Sequence, residues 1–499
     1  MAKIKKYKSN SEKVVSIYSC RTKWKTIIPE SIFEKFNKIV DSNPVPFKGF
    51  KKDVALYFLG LLVSIPARKK DKEYIDGFIP LYSPFLKKVW SKYNLYMDYL
   101  EKCELIIVNH YYNNIKHESK KYKLVIDSDC NKKYILAEIT NNCFLNKLNT
   151  KFTNHELAKT HSCFIKWYND ELKIDLDGAK QKLYDKLSKI KKKDINKMAA
   201  SHWYSILSLN HQNFSFSRNP KSDNRFHSSF TNFPKIYKPL VTYEEENLVS
   251  FDIKNSQPFF LVLFIEDIIR NRNNIGDIYS KEIKGNICTM LPLLVEQIEN
   301  NSFMKEFECF KNWVLNGDFY EKLGELFEHI KADSKENYKH KFYDKDIKKM
   351  KWITFDTKRD LMKKLALNLL YTPLLKPTKD YEFFKQRFPQ LCSFMEIIKT
   401  ENTYFEDKDR YKFFPKVLQH IEAKCVLDYV GKKFTKKYPN IPIWTIHDSW
   451  VTTESTIDVL EQEVKTLLLE YCNGIVPKLE KEHWNKEQKE VEDTFKLVA

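Results

Sequence analysis

Glycine is scarce in this chain, 10 of 499 residues, while Lys, Asn, Ile, Phe and Tyr abound. That bias fits an AT-rich coding sequence, so the basic balance has a compositional origin beside any functional one. Paired cysteines are missing as well. The ten cysteines are scattered from Cys20 to Cys472 and none forms a CxxC pair, which excludes zinc ribbons and thioredoxin-type redox chemistry. His161 and Cys163 lie close together but lack a partner pair at ligand spacing, so the cysteines read as reduced cytoplasmic thiols. No apolar segment follows the basic start MAKIKKYKSN, so no signal peptide is expected. The most apolar stretch, Val54 to Ile65, is too short to span a bilayer and fits a buried helix. No internal repeat is visible, and no membrane partner is expected.

What is present is a foldable, strongly basic chain. Hydrophobic residues make up 42% and aromatics 14%, enough to bury sizeable cores, and the length calls for two or three domains. The formal charge is +19, from 85 Lys+Arg against 66 Asp+Glu. A polyanionic partner, nucleic acid first, suits such a balance.

Residues 1–45 form a polar N-terminal segment. In residues 46–130, Leu81 to Trp90 and Asn94 to Cys103 read as helices, the second with Leu95, Tyr99 and Leu100 on one face. Leu105 to Val108 and Tyr122 to Ile126 read as strands around a basic turn. Helix, helix, strand, basic turn, strand is similar to a winged helix-turn-helix, whose wing would carry Lys116, Lys120 and Lys121 toward phosphates. An ordinary hairpin with a solvated turn reads equally well. Residues 131–215 are assigned as a helical linker or thumb-like region. Within them the basic stretch 173–199 has Leu183, Leu187 and Ile190 at helical spacing.

Residues 216–499 carry the chemistry. Leu248 to Asp252 (LVSFD) is a strand that ends on a carboxylate. Ile441 to Asp448 (IPIWTIHD) is a second such strand, and Ser449 to Val451 continues it as a hairpin return. Two aspartates at one sheet edge can hold two Mg²⁺ ions for in-line phosphoryl displacement, since Mg²⁺ takes one or two carboxylates and completes its shell with phosphates and water. Between these strands, Arg359 to Pro373 reads as a helix. Arg359, Lys363, Leu367, Leu370 and Tyr371 share one side, offering cations to a triphosphate and an apolar or aromatic surface to base and sugar.

Arg359-x3-Lys363-x7-Tyr371 resembles motif B of family A DNA polymerases and the phage-type single-subunit RNA polymerases. Asp252 resembles the motif A aspartate, and IHDSW (Ile446 to Trp450) resembles motif C. RFHSSFTNFP (Arg225 to Pro234) resembles the segment before motif A in the DNA enzymes. LQHIEA (Leu418 to Ala423) resembles the helix whose Gln faces the primer–template minor groove. The resemblance implies an α+β right-hand polymerase: an antiparallel palm sheet with helical fingers and thumb, plus a mainly helical N-terminal domain. It implies Mg²⁺, with Mn²⁺ as a substitute, on Asp252 and Asp448. Arg359 and Lys363 would take the phosphates, with Lys363 also protonating the pyrophosphate. Tyr371, Leu367 and Gln257 would meet the nucleotide. Arg225, Gln419 and His447 would meet primer and template.

Three positions depart from the DNA-enzyme pattern. Gln257 replaces the Glu that excludes the ribose 2′-hydroxyl, Leu367 replaces an aromatic residue, and Ser449 replaces Glu after Asp448. The last two lean toward the RNA enzymes. The N-terminal region has no acidic exonuclease constellation, so no proofreading is expected. Three functions stay open: a DNA-dependent DNA polymerase of a phage or mobile element, with replication or anti-phage defence as its setting; a single-subunit RNA polymerase or primase-polymerase; and a non-catalytic DNA-binding replication initiator.

Overall fold

The computed structural model describes residues 24–42, 45–68, 74–113, 118–126, 133–152, 155–189, 192–344, 349–375 and 377–485. They form a mixed α and β protein with antiparallel sheets and many helices, divided into two compact units. One comprises residues 24–216 and 228–245, the other 217–227 and 246–485. No described helix is long and apolar enough to cross a membrane.

The first unit centres on the helix Lys52–Arg68, buried from Val54 to Ser64, as its apolar run predicts. A strand Trp24–Pro29 pairs with Tyr134–Ile139 and passes so close to this helix that a Cβ at Gly60 would collide with the Thr26 side chain. Helices Ser83–Val89 and Tyr93–Lys102 fall between the first and second strands of a small antiparallel sheet made of Ile79–Pro80, Ile106–Asn109 and Lys121–Leu124, with Val108 opposite Tyr122. The buried face of the second helix is Tyr96, Met97 and Leu100. Leu95, expected on that face, is 43% exposed, because the sheet and the central helix lie on the other side of its turn. Lys120 is exposed and Lys121 half-buried, whereas Lys116 lies outside the described residues. The basic stretch 173–199 resolves into a strand Leu172–Ile174 and two helices, Leu176–Ser188 and Lys192–Asn210. Leu183 and Leu187 are buried as their spacing predicts; Ile190 lies outside the described residues.

The second unit is built on four antiparallel strands. β1 (Glu246–Ile253) is flanked on one side by β5 (Ser449–Thr453) and on the other by β6 (Leu479–His483), while β4 (Trp444–Ile446) extends the sheet beyond β5. Leu248 to Phe251 of β1 are buried, as expected of a strand covered on both faces. Directly after it, α1 (Ser256–Arg270) is buried from Gln257 to Ile268, which explains its unbroken run PFFLVLFI: a helix apolar all round belongs inside. Around α1 stand α2 (Lys281–Glu299), α3 (Phe303–Leu315), α4 (Phe319–Leu326), α7 (Pro389–Thr400) and α8 (Phe413–Ala423), and α8 runs on through π-helical turns over Lys424–Gly431. A hairpin, β2 (Tyr338–Asp344) with β3 (Lys349–Phe355), leads into α5 (Lys358–Tyr371), and α6 (Lys379–Arg387) follows. Short α9 (Lys432–Lys437) and long α10 (Ile457–Tyr471) complete the unit.

Candidate active site

The motif residues quoted for the catalytic region lie in the second unit, except Ser228 to Pro234 of the Arg225 segment, which belong to the first. Asp252 stands near the end of β1, where Ser449 of β5 is its cross-strand partner. Asp448 is the second residue of a two-residue turn between β4 and β5, whose first residue, His447, has φ 53°. The Ile253 N–H donates to the Asp448 carbonyl at 3.2 Å, so the two aspartates occupy neighbouring rungs of one antiparallel ladder. Ser449 is buried and its hydroxyl donates to the Ile446 carbonyl at 2.9 Å, which tightens the turn that presents Asp448.

Burial pushes the Asp448 carboxyl above its ordinary range, against a hydrogen bond from Ser256 and the charge of Arg225. The Asn255 amide, 5% exposed at the left-handed start of α1, has neither atom partnered, and Nδ1 of His447 is likewise buried without a partner. Burial, then the charge of Arg225, lowers the His447 pKa to about 4, so its ring is neutral at pH 7. Unmet polar atoms and a destabilised carboxylate suit a cation or phosphate ligand. Among the described residues no three His, Cys, Asp or Glu side chains gather at metal spacing. A metal here would rest on two carboxylates and take the rest of its shell from substrate and water, which fits Mg²⁺.

A buried chain of hydrogen bonds joins four of the motif segments. Arg225 donates from Nε and Nη2 to the two Glu422 oxygens at 2.6 and 2.7 Å. Gln257 Nε2 donates to Glu422 Oε2 at 2.6 Å, and the Tyr371 hydroxyl donates to Gln257 Oε1 at 2.6 Å. The carboxylate at one end and the hydroxyl at the other fix which way the amide points. Glu422 is fully buried, and burial together with Asp448 and Asp223 raises its pKa to about 7 against the pull of Arg225. Residues 217–227, which carry Arg225, are tied to α8 and the π-helical turns. Arg218 grips Asp428 with both terminal nitrogens at 2.8 and 2.5 Å, and His420 Nε2 donates to the Ser222 carbonyl at 2.8 Å.

The α5 helix is capped by Thr357, whose Oγ1 accepts the Asp360 N–H at 3.1 Å. It buries Leu361, Met362, Leu365, Ala366 and Leu369, leaving Lys363 and Leu367 exposed. Leu370, expected on the open side, is buried too, although at 100° per residue it lies only about 20° from Lys363. Arg359 pairs with Glu321 and lies 5.5 Å from the Tyr320 ring centroid. Lys363 pairs with Asp360 at 3.4 Å. Tyr320, pushed up to about 12 by burial, feels the charges of both Asp448 and Arg359, so the basic side of α5 and the aspartate turn share one field. Gln419 is half-buried on α8. Lys120 and Lys121 belong to the other unit.

Three residues of this site went unread in the sequence. Glu422 was in view inside LQHIEA, but only its flanking Ile421 and Ala423 hint that it points inward. Tyr320 lies in a helix with no motif. Glu482 lies in the charged strand LEKEH, where the Ser250 hydroxyl is shared between Asp252 Oδ2 at 3.0 Å and Glu482 Oε2 at 3.2 Å; no signal pointed to it.

No family model matches the sequence, and no curated protein matches it. The structure is similar to the POL domain of Pol1 from M. smegmatis, solved in complex with DNA primer-template and dNTP. The TM-score is 0.34 and the identity 10%, over 70% of this chain and 75% of that chain. A likeness this loose leaves the function to the site itself.

Proposed function

We propose that this chain is a template-directed nucleotidyltransferase, a DNA-dependent DNA polymerase of family A type without proofreading. The observation that carries the reading is the buried chain Arg225–Glu422–Gln257–Tyr371. It knits the segment before motif A, motif A, motif B and the helix before motif C beside two strand-borne aspartates, as one nucleotide site requires.

In this reading Asp252 and Asp448 would hold Mg²⁺, or Mn²⁺ in its place, which supplies charge to the attacking and leaving oxygens. Arg359 and Lys363 leave Glu321 and Asp360 to pair with the triphosphate, an exchange of one anion for a more highly charged one. The Lys363 ammonium donates its proton to the departing pyrophosphate oxygen. Leu367 and the Tyr371 ring offer an apolar floor to the incoming base. Neutral His447 packs beside the primer terminus, and Arg225 and Gln419 face the primer–template minor groove.

The test is dNTP incorporation on a primed DNA template with Mg²⁺. Asp252→Ala and Asp448→Ala should each lower it about a thousandfold or more, since each removes charge stabilisation worth several kcal/mol. Full incorporation by both variants would refute the assignment. The RNA polymerase or primase reading is favoured by Leu367 and Ser449, with Gln257 an amide where the DNA enzymes carry a carboxylate. Offering NTPs and dNTPs with and without primer separates the two. Incorporation of neither, with DNA binding intact, would leave the non-catalytic initiator.

A further inference from the structure

The β2–β3 hairpin has no role in the site described above, and its two faces differ sharply. In register, His340 faces Ile353 and Phe342 faces Lys351. This inner face is pinned down: Phe342 is 4% exposed, its ring meets Phe355 at 6.0 Å, and His340 Nε2 lies 2.9 Å from Asp380 Oδ2 of α6. On the outer face Lys341 stands opposite Trp352 and Tyr343 opposite Met350. Tyr343, Met350 and Trp352 are 51%, 52% and 55% exposed, and the Lys341 ammonium lies 4.9 Å from the Trp352 ring centroid. Lys339, opposite Thr354, continues the same face toward the body, where its ammonium pairs with Asp333 at 2.7 Å.

We propose that this outer face binds single-stranded nucleic acid, with Trp352 and Tyr343 stacking on unpaired bases and Lys341 and its neighbours meeting the phosphates. A folded chain does not expose two large rings and a methionine side by side without a partner for them. Flat rings alternating with ammonium groups match a ligand that alternates base and phosphate. A duplex hides its base faces and would use the lysines alone. The hairpin runs within three residues into α5, which places this platform on the strand of chain that leads to Arg359 and Lys363. The inference does not depend on catalysis and stands or falls by binding.

The experiment is fluorescence anisotropy of the full chain with a labelled oligothymidylate and, separately, a blunt duplex of mixed sequence, in chelator and without nucleotide. Trp352→Ala and Tyr343→Ala should each weaken oligothymidylate binding about tenfold, as loss of one stacked base does, and leave duplex binding within about twofold. Lys341→Ala should flatten the logarithmic salt dependence by about 0.7, one phosphate contact on a single strand. All three side chains are exposed, so unchanged melting temperatures verify that the variants fold. Wild-type affinity for oligothymidylate in Trp352→Ala and Tyr343→Ala overturns the proposal. Equal losses on duplex and single strand overturn it too. So does binding of the wild type to phosphatidylserine vesicles, lost in these variants, with no binding to oligothymidylate.

Discussion

Glu422 is the residue whose behaviour can be worked out most fully. Its carboxyl is fully buried, and its pKa rises from 4.5 to about 7. Between those pH values the folded protein keeps a proton that the unfolded chain has released. Stability from this group is therefore complete below about pH 4.5 and lost as pH rises through about 7. The gap of two and a half pKa units corresponds to about 3 kcal/mol. Glu422→Gln removes the titration and keeps the shape; below about pH 7 the protonated Glu422, like the amide, has no charge to pair with Arg225. Other titrating groups are common to both proteins and cancel in the difference. The melting temperature of the wild type, measured by scanning fluorimetry in chelator, should fall relative to Glu422→Gln by roughly 6–12 °C between pH 4.5 and 7.5, given the size of the second unit. It should hold steady on either side of that window. A difference that stays flat through the window would show that Glu422 is ionised throughout, with Arg225 outweighing burial.

Other perturbations have equally definite outcomes. Tyr371→Phe removes the hydroxyl that donates to Gln257 Oε1 at 2.6 Å; freed from that anchor, the amide should lose its fixed orientation. The ratio of NTP to dNTP incorporation should then shift about fivefold or more, the effect of leaving one buried acceptor unmet. An unchanged ratio in an active variant would mean the amide does not read the sugar. Lys399 is 1% exposed, its ammonium donates to the Thr372 carbonyl at 3.3 Å, and burial lowers its pKa from 10.5 to about 8. Its stability contribution is present above about pH 10.5 and lost as pH falls through about 8, so Lys399→Met should melt higher at pH 7. That advantage, up to about 3 kcal/mol, should disappear as pH approaches 10.5. Greater stability of the wild type at pH 7 would show that the Thr372 bond outweighs the cost of the buried charge.

Much of the catalytic unit was legible because its signals are local. LVSFD and IPIWTIHD are apolar enough to read as strands; Asp252 stands near the end of its strand as expected, whereas the second strand is only Trp444–Ile446 and Asp448 lies in the turn after it. The spacing of Arg359, Lys363 and Leu367 is sufficient to predict the open side of α5, whereas Leu370, about 20° from Lys363 by spacing, is buried by packing near the helix end that the spacing does not carry. Partnerships across the chain were not legible. Arg225 and Glu422 are 197 residues apart, and no periodicity links them. β6 is charged throughout and is a strand only because β1 has an unfilled edge beside it. The β2–β3 hairpin was missed for a related reason: its alternation sets lysines against aromatics, and reads as neither apolar strand nor turn. The interrupted helix of residues 173–199 was read as continuous because the break carries no glycine or proline.

The sheet arrangement has a consequence for how the protein is made. β1 is synthesised well before β5 and β6, its partners in the second unit: β5 supplies the rung beside Asp252, and Ser250 meets Glu482 across 232 residues. A growing chain therefore carries Asp252 on a strand that lacks β5 and β6 while residues 254–448 are being made. Contacts this distant in sequence form slowly, and an apolar strand with bare edges is one that other chains can pair with. The half-made protein should be at its most aggregation-prone in that interval, and a chain shortened before β6 would keep both aspartates while depriving the strand that holds Asp252 of its β6 partner.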